Sequence, residues 1–144
     1  MVNRSEIIDC ARKYLGIKFR HQGRILINND NNNQVGCDCL GLIIGIAKNL
    51  NLKSVTDKML SDCDVNNYTI IPDPSKLFNF CKTHFIKIAK NKMKQADIAL
   101  MKFNYQPQHL AIIANDMNDN NFTIIHSYIQ ARAIIEQPMN NYWY

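Results

Sequence analysis

The sequence predicts an α+β fold, with helices in its first half and an antiparallel sheet in its second. Three observations carry this expectation. Apolar residues recur at helical spacing from Ser5 to Leu15 and again from Asp38 or Cys39 to about Leu50. Asp73 followed by Pro74 supplies a cap and first-turn pair for a further helix to about Lys82. Beyond residue 97 the pattern changes to four short apolar or alternating runs, Ile98 to Phe103, His109 to Ala114, Phe122 to Ser127 and Ala133 to Glu136. Helices followed by strands, rather than alternating with them, give segregated layers. A chain of 144 residues suits one domain over 1–144, with a core that buries about two thirds of the unfolded surface.

The elements follow in order. Ser5 can cap the first helix, Ile7, Ile8, Ala11, Tyr14 and Leu15 form its apolar stripe, and Gly16 is the stop. Ile17 to Gly23 reads as an extended or irregular link. A polar loop follows from about Asn28 to Gly36, its amides clustered around Asp30. In the next helix Leu42, Ile43, Ile46, Ala47 and Leu50 share one face, while Gly41 and Gly45 leave a flat strip for close packing, so this helix is expected to be central and buried. Residues 51–72 carry the weakest pattern and read as one short helix and a loop. The strand runs are separated by turn-rich pieces at 104–108 and 115–121.

Composition narrows the function classes. Hydrophobic residues at 47% and charged residues at 20% are ordinary globular usage, which excludes a disordered chain. The longest apolar run, Leu40 to Ala47, is too short for a membrane span. Residues 1–6 lack the basic, apolar, small-residue order of a secretory signal, so the protein is expected to be cytoplasmic when made. Five cysteines, at 10, 37, 39, 63 and 81, show no paired framework and are expected to be free thiols. The net charge of +5, concentrated in 12–24 and 76–102, would assist docking on a polyanion and equally suits a solvated surface.

The chemistry centres on Cys39. A thiol at a helix start meets unsatisfied N–H groups and the positive end of the helix dipole, both of which favour the thiolate. His109 opens one predicted strand and His126 ends the next, so an antiparallel pairing of the two brings them together. A helix-start cysteine facing two such histidines is a nucleophile, base and orienter set. His21, in the link, and Asp38, beside the thiol, are expected to line the same cleft; His84 reads as a surface residue. Cys37, Cys39, His109 and His126 are also ligand types that zinc takes, but a lone C-x-C pair departs from the usual C-x(2 to 4)-C spacing.

These residues resemble a known family. Asp38-Cys39-Leu40-Gly41-Leu42 is similar to the Asp-Cys-Ser/Leu-Gly-Leu/Phe signature of the NlpC-type cysteine peptidases of bacterial cell walls. Ala11 to Arg20 resembles their opening helix and Leu-Gly-Thr-Pro-Tyr-Arg turn, Gln95 to Leu100 their Pro-Gly-Asp-Leu-Val-Leu lead-in, His109 to Ile113 their His-Val-Gly-Ile strand, and Ile125-His126-Ser127-Tyr128 the strand with the third polar residue. Arg20 to Gly23, Gly36 to Gly41 and His126 to Tyr128 together resemble the phage cell-wall peptidases of tail-gene clusters and gene transfer agents. The resemblance implies a papain-like core with the nucleophile at the start of a central helix packed on an antiparallel sheet. It implies Cys39 as nucleophile, His109 as base and then acid, and His126 as orienter. The implied reaction is hydrolysis of amide bonds in peptidoglycan stem peptides, without metal or organic cofactor. Phage tail proteins are the implied partners, nucleic acid is not, and the protein would act at the cell wall from a phage or phage-like particle. A catalytically silent tail component of the same fold, or a thiol amidase or acyltransferase, are the alternatives. Phe19 departs from the family's tyrosine, Leu40 from its serine, Lys18 from its proline and Ala96 from its glycine.

Overall fold

The computed structural model describes residues 2–25, 35–65, 74–103, 106–115 and 121–139. Among them stand three α-helices and a four-stranded antiparallel sheet, a mixed α+β chain. Helix α1 spans Arg4–Lys13. Its cap is Asn3 rather than Ser5, because Asn3 can close a reciprocal pair: its Oδ1 accepts the Glu6 N–H at 2.8 Å and its own N–H donates to Glu6 Oε2 at 3.3 Å.

The link after α1 is not a loose excursion. Gly16 N–H donates to Ile134 O (2.9 Å) and Phe19 N–H to Arg132 O (3.0 Å), while Lys18 O accepts from Cys37 N–H (3.1 Å). It therefore runs between the last strand and a two-residue antiparallel ladder, β1 (Arg24–Ile25) with β2 (Gly36–Cys37). Such a short ladder has no periodicity to read in a sequence. The cluster 28–33 lies outside the described residues.

Helix α2 (Cys39–Leu50) occupies the predicted span, capped by Asp38 and closed by Asn51 in the left-handed conformation (φ 54°). Leu40 and Ile44 are buried along with Leu42, Ile43, Ile46 and Ala47, so the helix is covered nearly all round. A single 3-10 turn, Leu60–Cys63, follows; residues 66–73, including the proposed Asp73 cap, lie outside the described set. Helix α3 spans Pro74–His84, longer than predicted by two residues. Its last residue corrects an expectation: His84 is half-buried, and its Nδ1 lies 2.9 Å from Ser54 Oγ, pinning the 53–59 loop to the helix end.

Strands β3 (Ile98–Phe103), β4 (Gln106–Asn115), β5 (Phe122–Tyr128) and β6 (Ala133–Pro138) form the sheet in that order. Strand β4 begins three residues ahead of His109, so residues 106–108, expected in a turn, belong to the strand. Side-chain alternation sorts the sheet into two faces. Leu110, Ile112, Ala114, Ile125 and Ile134 join the core that packs on the helices, whereas Met101, Ala111, Ile113 and Ile124 form a second cluster. Arg12 of α1 locks β6 by a forked contact to Glu136, 3.0 Å on each carboxylate oxygen. Burial alone would raise the Glu136 carboxyl, but hydrogen bonds from Arg12 and Thr123 hold it below its ordinary value.

Candidate active site

Asp38 and Arg24 build the frame of the site. The Asp38 carboxylate accepts the Gly41 N–H (2.9 Å) as helix cap, the Gln22 N–H (2.8 Å) and Arg24 Nη1 (3.0 Å). Arg24 reaches on to Asp64, with Nε and Nη2 at 2.8 and 3.0 Å from its two oxygens. One buried carboxylate thus joins the turn at 21–23, β1 and the start of α2. This is a scaffolding task beside the thiol, and Arg24 carried no sequence signal for it. Asp38→Ala removes the cap and leaves the Gln22 N–H without its acceptor, while Arg24 keeps its contacts to Asp64; it is expected to cost about 2 kcal/mol in urea unfolding, with Asp38→Asn costing less because it can still cap. His21 sits in the same turn, its Nε2 3.3 Å from Gln22 Nε2.

Glycines let these segments close on one another. A Cβ on Gly41 would lie 2.1 Å from Gly23 O, and one on Gly23 would lie 2.4 Å from Gly36 O. The flat strip expected on α2 therefore receives, at Gly41, a backbone carbonyl rather than another helix.

The thiol lies where the sheet splits. The β4–β5 ladder ends at Ile112↔Ile125, although both strands continue toward His109 and Tyr128. Near the gap, the backbone N–H groups of Leu110, which alternation turns toward β5, and of Leu40 act on the Cys39 sulfur in the sense that favours its thiolate. Beyond the gap the Ser127 hydroxyl donates to Cys37 O at 2.6 Å, tying β5 to the residue ahead of the cap. Cys37 itself is fully buried.

His109 and His126 are both buried, and their rings meet as expected, His109 Nε2 lying 2.6 Å from His126 Nδ1. By alternation they share the face of Ala111 and Ile124, while α2 packs on the other. Cys39 belongs to the helix-side core cluster, together with Leu110, the residue next to His109. The Tyr128 ring stacks on His126 at a centroid distance of 5.0 Å and an angle of 14°, and stands 6.0 Å from His109. The backbone of Phe19 forms a parallel bridge with Cys37, and Tyr128 of β5 supplies an aromatic ring beside the imidazoles.

Electrostatics corrects one expectation. Burial, reinforced by the Asp38 carboxylate, pushes the Cys39 thiol up to about 12, and the backbone N–H groups and Arg24 only partly oppose this. At a helix start that is also buried, lost hydration outweighs the dipole. Burial, followed by repulsion from His126, lowers His109 to about 3. Burial lowers His126 to about 4, the nearby Gln137 side chain opposing this only in part. The resting site at neutral pH is a protonated thiol with two neutral imidazoles. Among the described residues no group of three or more His, Cys, Asp or Glu side chains is arranged to hold a metal ion. No helix there is long and apolar enough to cross a membrane.

No family model, curated protein or solved structure matches the chain.

Proposed function

We propose that the chain is a cysteine peptidase that hydrolyses amide bonds in peptidoglycan stem peptides, carried by a phage or phage-like particle and acting at the cell wall. The observation that supports the chemistry is the 2.6 Å His109–His126 contact, with Cys39 packed in the same core cluster as Leu110, the residue next to His109. The papain-like arrangement and the substrate class rest on the resemblance of Asp38 to Leu42 and His109 to Ile113 to the wall peptidases.

In the tautomer this reading requires, His126 Nδ1 accepts from His109 Nε2–H, and the His109 Nδ1 lone pair takes the Cys39 proton once substrate binding brings the two together across the strand. Because the resting thiol is neutral, proton transfer accompanies attack rather than preceding it. Sulfur bonds to the scissile carbonyl carbon, and backbone N–H groups near Cys39 stabilise the oxyanion. The C–N bond breaks as His109 returns the proton to the leaving amine. Water, deprotonated by His109, then cleaves the thioester, releasing the acid and the thiol.

Incubation with purified muropeptides tests the proposal by chromatography of released fragments. Wild-type protein is expected to release them, and Cys39→Ala or His109→Ala to lose at least about 10³-fold in rate. Equal release by Cys39→Ala removes the thiol from the mechanism, and no release by wild type removes the substrate. The buried neutral thiol favours a second reading, a silent tail component, which expects neither release nor a thioester on Cys39 detectable by mass spectrometry.

A further inference from the structure

Strand β3 is an edge of the sheet, and among the described residues no strand pairs with its outer side. Ile113 N–H donates to Asp97 O at 2.8 Å, so residues 97, 99 and 101 turn their backbone groups toward β4. Ile98 and Leu100 turn their N–H and C=O groups outward. A groove of about 540 Å³ borders this strand and extends over the adjoining sheet face: consecutive residues from Asp97 to Lys102 line one side, Ile88, Lys90 and Met93 another, and Ile113 and Met139 line the part over the face. Ile98, Ala99 and Leu100 remain half-exposed in it.

Charge selects what could pair there. The segment 86–102 holds five lysines, at 87, 90, 92, 94 and 102, against Asp97, whose carboxylate is 2.6 Å from Arg4 Nη1. Lysines along an edge repel a second copy carrying the same charges. A strand of opposite charge meets the opposite condition. It would gain the outward backbone bonds of Ile98 and Leu100, apolar contacts in the groove and attraction to the rim.

We propose that the outer edge of β3 docks an extended peptide of alternating acidic and apolar residues, supplied by a partner protein. The peptide adds a fifth strand. The site is separate from Cys39, and its test does not depend on peptidase activity.

The experiment uses the full chain and its Cys39→Ala variant, with acetyl-Glu-Val-Glu-Val-Glu-Val-amide as probe and the lysine-for-glutamate peptide as control. In the protein alone the Ile98 and Leu100 amides are expected to exchange with deuterium rapidly, unlike Ala99 and Met101. The acidic peptide is expected to slow both at least about 10-fold, and the lysine peptide to leave them unchanged. Lys102→Glu, on an exposed side chain, is expected to weaken the acidic peptide about 5-fold. Protection of Ile98 and Leu100 in the isolated monomer overturns the proposal, because the edge would already be paired. So do equal binding of the two peptides and a concentration-dependent dimer that protects the same amides.

Discussion

Gly41→Ala is expected to destabilise the protein by about 3 kcal/mol or more, lowering the melting temperature by roughly 10 °C. The added Cβ would stand 2.1 Å from Gly23 O and 2.9 Å from Cys37 Cβ. Neither neighbour can swing aside as the tip of a long side chain could. Gly23 is itself closed against Gly36 O, and the Gly41 N–H is held by Asp38, so the start of α2 would have to move as a unit. Gly16→Ala is the informative contrast: nothing lies within 4 Å of its Cβ, and only its positive φ of +90° opposes substitution, at a cost of about 1 kcal/mol. Thermal melts of the two variants check the difference. Equal losses would show that the contact at Gly41 relaxes without cost.

Stability is expected to fall steeply below pH 6.5, by as much as about 2.7 kcal/mol per pH unit where both histidines contribute. Folding lowers His109 from an ordinary 6.5 to about 3 and His126 to about 4. Between those values the unfolded chain binds more protons than the folded one, so stability rises with pH across the window and is lost as pH falls. The sign reverses in alkali. Cys39 and Cys37 are raised from 9.0 to about 12, so above about pH 9 the unfolded state releases thiol protons first and gains. Urea unfolding at half-unit steps from pH 4.5 to 10 should give a plateau between about 7 and 8.5. His126→Gln should flatten the acid limb by about one histidine's slope. An acid limb unchanged in that variant would show that His126 titrates normally in the fold.

The helix and strand positions were legible because burial imposes a period. Apolar spacing places α2 at its observed ends, and all four strand runs appear in the sheet. The meeting of His109 and His126 followed from the same logic, since antiparallel neighbours bring the start of one strand beside the end of the next. Capping was less legible: Asn3 and Ser5 are both good cap residues, and only the reciprocal bonds with Glu6 select the former. His84 looked unremarkable because Ser54 is thirty positions away.

Sequence alone determined the main helices and strands, their order and the meeting of His109 with His126, because these follow from local periodicity and antiparallel connection. Tertiary structure alone decided the state of the site. Whether a helix-start thiol is ionised depends on how much water reaches it, and enclosure between α2 and the split sheet outweighs the dipole at Cys39. Likewise the Gly23, Gly36 and Gly41 contacts and the Arg24–Asp38–Asp64 chain join segments far apart in sequence. No local pattern encodes such contacts; only the packed chain brings their atoms together.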